Sequence, residues 1–281
     1  MTSTTHPAAD PAGLVAQVHI PRLADAPGSD DHIPLRRLVT VELRKAVDTR
    51  SGRWLLALIA GGTAAVMAIV VVFGISEDLA FTLSDVFQIA NLFPMGVLLP
   101  VLGVLSVTSE WSQRTNVVTF GHVPRRGRII TAKLLAGVVT ALAAAAAALA
   151  FGVVALGVLD LLGGSAAWAI SAEVLGAFAL LQTINLLTGF AFGLLLLSTP
   201  ASLVVFFAYY FVLPTASGAA AGAWDWAESV LAWIDFNRAQ LALTDGSLDG
   251  LDWPQLATAA AIWLVAPVAL GTRRVLGAEI K

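Results

Sequence analysis

Cysteine is absent from all 281 residues. Disulfides, thiolate metal sites and cysteine nucleophiles are therefore excluded. Lysine is scarce: only Lys45, Lys133 and Lys281 occur, and none follows a glycine. The chain thus lacks the GxxxxGK[ST] loop that cradles nucleotide phosphates, and no HExxH or GxSxG is present. The four histidines, His6, His19, His32 and His122, include no pair spaced for a metal on a helix. Charge is low as well. Charged residues make up 12% against 58% hydrophobic, with a mean hydropathy of +0.82, which argues against an ordinary soluble globule. The stretch through Asp31 has no apolar core of signal-peptide type, so insertion is expected to rely on the first membrane helix.

The charges that are present are sorted. Of the sixteen Lys and Arg residues, all but Arg238 fall within 22–53, 114–133 and 273–281. The intervening polar segments carry the opposite sign: Glu77, Asp78 and Asp85, then Asp160 and Glu173, then Asp225, Glu228, Asp235, Asp245, Asp249 and Asp252. Alternation of this kind is the pattern of a polytopic inner-membrane protein under the positive-inside rule, and it places both termini in the cytoplasm. The Ala, Val, Leu and Gly bias suggests a bacterium with GC-rich DNA.

Residues 1–33, rich in Ala, Pro, Asp, Ser and Thr, are expected to form a disordered cytoplasmic tail. Residues 34–53 alternate apolar and basic side chains at helical spacing. Leu35, Leu38, Val39, Leu43, Ala46 and Val47 can share one face, with Arg36, Arg37, Arg44 and Lys45 largely off it. The spacing predicts an interfacial amphipathic helix on the inner leaflet. A six-helix transmembrane domain follows over 54–274. Its spans are expected at about 54–75, 86–107, 134–159, 174–197, 201–220 and 253–271, each near the roughly 20 residues a bilayer requires. Pro94 and Pro100 predict a bent or broken second span. The uncharged stretch 174–224 is long enough for two spans, with its break at Ser198-Thr199-Pro200. Residues 221–252 form the largest outer segment, helical in spacing; Trp224, Trp226, Trp233 and Trp253 fit an aromatic belt.

No acid, base, nucleophile or metal constellation accompanies this plan, so the chain is not expected to be an enzyme or to bind a cofactor itself. The span interiors offer amides instead of charges. Gln88 and Asn91 share a face of the second span, and Gln182 and Asn185 repeat the spacing on the fourth. Such pairs either line a substrate path or hold the bundle together through interhelical hydrogen bonds, each worth about 0.6 to 2 kcal/mol. The candidate path residues are Phe87, Gln88, Asn91, Phe93 and Met95 on the second span, with Phe207 and Tyr210 on the fifth. Bulk packing is the alternative for the aromatics.

The inner segment 108–128 carries the most specific pattern. It begins Glu110-Trp111-Ser112-Gln113-Arg114-Thr115, passes through a short amphipathic stretch to Phe120, and turns at Pro124-Arg125-Arg126-Gly127-Arg128 ahead of Lys133. Here the chain resembles the membrane subunits of ABC exporters of the type-2 permease family. In that family a Glu-aromatic…Thr segment ends the second span, and a Pro-x-x-Arg-type turn and a Lys open the third. The opening VELRKAVDTRSGRW also looks like the family's entry into its first span. Members often have Gly where Arg114 stands, a departure that bears on the turn geometry.

The resemblance implies an all-α integral membrane protein with six transmembrane helices, an N-terminal interfacial helix and a cytoplasmic coupling helix between spans two and three. It implies two permease copies, identical or similar, each docked on a cytoplasmic ABC ATPase subunit that holds the ATP and Mg. Contacts with that ATPase would come from Glu110, Trp111, Arg114, Thr115, Phe120, Pro124, Arg125 and Arg126. A simpler role for Arg125, Arg126 and Arg128 is attraction to anionic lipid, about 1 kcal/mol each. The cargo expected of uncharged spans is apolar or amphipathic, a drug-like molecule or a lipid. The alternative is a non-transporting scaffold or sensor in the plasma membrane; no nucleic-acid partner is expected.

Overall fold

The computed structural model describes residues 34–112, 126–168, 171–246 and 248–277, and helices account for almost all of these. The expected tail, 1–33, and most of the expected coupling segment lie outside these residues. A first helix, α1 (Leu35–Asp48), carries an apolar stripe but has no fully buried residue. Thr49 then takes an extended conformation, and its hydroxyl accepts from the Gly52 N–H, starting α2 (Arg50–Ser76). This is an N-cap: the side chain satisfies a donor that the first helical turn leaves without a partner.

Among the described residues, six helices are long and apolar enough to cross a membrane, as an all-α membrane protein requires. They are α2, α3 (Leu83–Trp111), α4 (Gly127–Leu161), α5 (Ala172–Leu196), α6 (Thr199–Ala223) and, after three short helices, α10 (Asp252–Gly277). The segment between α6 and α10 comprises α7 (Asp225–Ile234), α8 (Phe236–Ala239) and α9 (Leu241–Asp245). Two-residue strands β1 (Phe81–Thr82) and β2 (Ala166–Ala167) pair in parallel and tie the α2–α3 connection to the α4–α5 connection.

Local chemistry sets the ends of the spans. Thr82 and Asp85 form a reciprocal capping box at the start of α3. Inside α3, residues Asn91–Met95 form a π-turn in which Phe93 is extended (φ −165°, ψ 128°), so the second span is interrupted one residue before Pro94. Between α5 and α6 the chain reverses through Leu197, whose φ of 54° is left-handed, and Pro200 falls in the first turn of α6. The Arg274 guanidinium donates to the Leu195 carbonyl at 2.8 Å, satisfying an acceptor at the end of α5.

The centre of the bundle is the packing of α3 against α5. A Cβ at Gly103 would collide with the Leu186 carbonyl, and one at Gly189 with the Pro100 carbonyl. Two backbones approach this closely only where side chains are missing, the small-residue packing that replaces the hydrophobic effect inside a bilayer. By contrast, α6 and α10 are largely uncovered. Val204, Phe207, Phe211 and Val212 of α6 are exposed within this single chain.

Candidate functional site

Four charged side chains meet where α1, α3 and α4 converge. Glu42 and Lys45 sit one turn apart on α1; Glu110 ends α3; Lys133 lies in the second turn of α4. The Lys45 ammonium is 2.7 Å from Glu42 Oε1 and 2.8 Å from Glu110 Oε1. The Lys133 ammonium is 2.7 Å from Glu42 Oε2 and 2.9 Å from Glu110 Oε1, and donates a third bond to the Ser106 carbonyl at 3.1 Å. Side-chain exposure is 8% for Lys133, 11% for each glutamate and 39% for Lys45. Charges this sheltered persist only when paired and hydrogen-bonded, and two cations on two anions leave no net charge. Burial alone would lower the Lys45 pKa, but its bonds to Glu110 and Glu42 outweigh that and hold it above the ordinary lysine value.

The cluster fastens α1 to α3 and α4, the helices on either side of segment 113–125. The sequence singled out Glu110 for an outward contact; its carboxylate is held within the chain by Lys45 and Lys133. Trp111 is half-buried against Val107, Ile130, Phe190, Leu194 and Val275. Arg126 opens the first turn of the helix that becomes α4. Arg114, Thr115, Phe120, Pro124 and Arg125 lie outside the described residues.

Beside the ion cluster is a cavity of about 260 Å³. Its lining combines the charged Glu42, Lys45, Glu110 and Lys133 and the hydroxyls of Thr49, Ser51, Ser106, Ser109 and Thr140 with the apolar Leu102, Leu105, Ala136, Gly137 and Leu186.

The amides of the two spans come together in the bundle. Asn91 Oδ1 accepts from Gln182 Nε2 at 3.2 Å and from Asn185 Nδ2 at 2.9 Å, and Asn185 Nδ2 also reaches Gln182 Oε1 at 3.3 Å. This is an interhelical tie across the α3–α5 contact, placed at the first residue of the π-turn. Gln88 is not part of it; with Phe87 it borders a void of only about 10 Å³. Phe87 stacks on Phe178 (centroids 4.1 Å apart) and Met95 is fully buried, so both are core residues here. Phe93 and Phe207 are exposed, and the Tyr210 hydroxyl donates to the Leu92 carbonyl at 3.4 Å. The seven path candidates therefore divide between a packed interior and an open face of α3 and α6.

At the other end of the bundle, Asp235 caps α8 by accepting from the Asn237 and Arg238 N–H groups, and it also accepts from the Ser217 hydroxyl. Among the described residues, no buried side-chain nitrogen or oxygen lacks a partner, and no group of three His, Asp or Glu is set to hold a metal.

The sequence did not reveal the ion cluster as a unit. By spacing alone Glu42 carries no distinguishing pattern, Lys45 belongs with the basic side chains of α1, and Lys133 belongs to the basic pattern that opens the third span. A signal was nevertheless present: Glu110 and Lys133 are the charges nearest the end of span two and the start of span three, and Glu42 and Lys45 have the i, i+3 spacing of a helical pair. Comparison with protein-family models and with curated proteins gives no match.

Proposed function

We propose that the chain is the membrane subunit of an ATP-driven exporter of the type-2 ABC permease kind. It works with a second permease copy and separate cytoplasmic ATPase subunits, and moves an apolar or amphipathic small molecule across the bacterial plasma membrane. The end bearing α1 faces the cytoplasm, a reading supported by Arg36, Arg37, Arg44, Arg50, Arg53, Arg273 and Arg274 there and by the acidic residues of the opposite loops.

The observation that carries this reading is the ion cluster of Glu42, Lys45, Glu110 and Lys133. A subunit driven by a partner needs a rigid connection between the segment the partner moves and the spans that change access. Segment 113–125 leaves α3 directly after Trp111 and re-enters at α4, and the cluster locks both arms to α1. A displacement of that segment is then transmitted to α3, which is already interrupted at Phe93 and can pivot there. Glu110 acts in this scheme as a positioning residue. The uncovered apolar face of α6, with Phe207 and Phe211, suits a second permease copy across the pathway.

The test is gentle purification of the tagged chain from its native host, with mass spectrometry and an ATPase assay. A co-purifying subunit with a Walker motif is expected, with turnover lost in Glu110→Ala while the complex still assembles. Absence of any nucleotide-binding subunit, under conditions that keep other membrane complexes together, removes the exporter reading and leaves the scaffold or sensor reading ahead.

A further inference from the structure

We propose that the cavity beneath α1 binds one zwitterionic phospholipid with a primary-ammonium headgroup, taken from the leaflet at which α1 lies. The argument does not use the transport reading; it rests on what lines the cavity and in what order. The exposed residues Thr49 and Ser51 lie where α1 hands over to α2, and Lys45, Glu42 and Glu110 stand beside them. Along α3 and α4, away from the ends that hold Glu110 and Lys133, the lining is mainly apolar: Leu102 and Leu105, with Leu186 of α5, the small Ala136 and Gly137, and one hydroxyl, Thr140. Head-to-tail polarity of this kind fits an amphiphile and does not fit a small ion or a wholly apolar molecule. The volume, about 260 Å³, accepts a headgroup and the start of one acyl chain, the rest of the lipid remaining in the bilayer.

The charges narrow the headgroup. Among the described residues the Lys45 ammonium spends two of its three N–H bonds, on Glu42 and Glu110, and it is the most exposed member of the cluster. Its third donor can take a phosphate oxygen, aided by the Ser51 hydroxyl and by the positive N-terminal end of the 27-residue helix α2. Each Glu42 oxygen accepts a single bond among the described residues, so a lone pair is left for an N–H of the headgroup ammonium. The four described side chains of the cluster carry two charges of each sign, and a neutral dipolar headgroup adds one of each. An anionic glycerol headgroup leaves an unmatched negative charge beside two carboxylates. A quaternary choline cannot donate a hydrogen bond to Glu42.

The test measures lipid retention by native mass spectrometry of the full chain released from nanodiscs. The nanodiscs contain equal parts of phosphatidylethanolamine, phosphatidylcholine and phosphatidylglycerol with the same acyl chains. One retained phosphatidylethanolamine per chain is expected, at least fivefold over either competitor. Thr140→Phe fills the apolar end without touching the ion cluster, because the Thr140 hydroxyl bonds only the Ala136 carbonyl. That variant is expected to lose the retained lipid, whereas Val154→Phe, on the exposed face of α4, keeps it. Lys45→Gln, which removes the donor to the phosphate, is expected to lower the amount of lipid retained. Equal retention of the three lipids, or undiminished retention by a folded Thr140→Phe protein, overturns the proposal.

Discussion

The Lys133 ammonium lies 2.9 Å from the Glu110 carboxylate and also pairs with Glu42, so one buried cation joins three helices. Replacing it with methionine keeps the packing of the side chain and takes a buried cation away from two sheltered carboxylates. Breaking a buried pair from one side costs about 3 to 5 kcal/mol, because the remaining charge is left without compensation. Lys133→Met is therefore expected to lower the thermal unfolding midpoint in detergent far more than Lys45→Met, whose ammonium is open to water. Adding Glu110→Gln to Lys133→Met should recover part of the loss. Equal losses for the two lysine variants would mean that the cluster is not organised around Lys133.

The alkaline limit of the cluster follows from Lys45. Its pKa is raised above the ordinary 10.5, and a raised basic group stabilises the fold fully below its unfolded value and loses that contribution as pH climbs through the folded one. The cluster should hold unchanged through pH 10 and weaken only above about pH 10.5. Unfolding midpoints taken from pH 8 to 11.5 are expected to show a late alkaline step that Lys45→Gln lacks. A step between pH 8 and 9.5 removed by the same substitution contradicts the assignment.

The legible part of this fold was the part written in one dimension. Apolar runs free of charge mark the spans, and proline marks both the break near Ser198 and the interruption in α3, since each effect depends on a few neighbouring residues. The cluster and the amide tie depend on which helix faces which. Glu42 and Lys45 look like surface residues of an amphipathic helix until α4 brings Lys133 against them. Likewise the amide spacings on α3 and α5 could be read, but not that Asn91 would reach across to Gln182 and Asn185 while Gln88 stayed apart.

The amide tie separates a packing role from a path role. Asn91→Leu removes two interhelical bonds at similar volume, and each is worth about 0.6 to 2 kcal/mol. If the amides hold the bundle, the variant unfolds at lower temperature and any transport it retains keeps its selectivity. If they line a path, stability changes little and cargo selectivity shifts. Thermal unfolding read beside a transport assay distinguishes the two, and the hydrogen bonds favour the first.

The close approach of α3 and α5 makes the most position-dependent prediction. At Gly189 a methyl group would meet the Pro100 carbonyl, and the surroundings are backbone that no rotamer change can move aside. Gly189→Ala must push the two spans apart, and overpacking of this kind costs about 1 to 3 kcal/mol. It also pulls on the amide tie on the same two helices, so the loss should exceed the sum expected from Ala elsewhere. Gly218 in α6 has open space around its Cβ position, so Gly218→Ala is expected to be neutral or to stabilise by the roughly 0.5 to 1 kcal/mol that alanine gains over glycine in a helix. Unfolding midpoints for the two variants should therefore move in opposite directions, or the first fall while the second stays. If both change alike, the spans are not in backbone contact at Gly189.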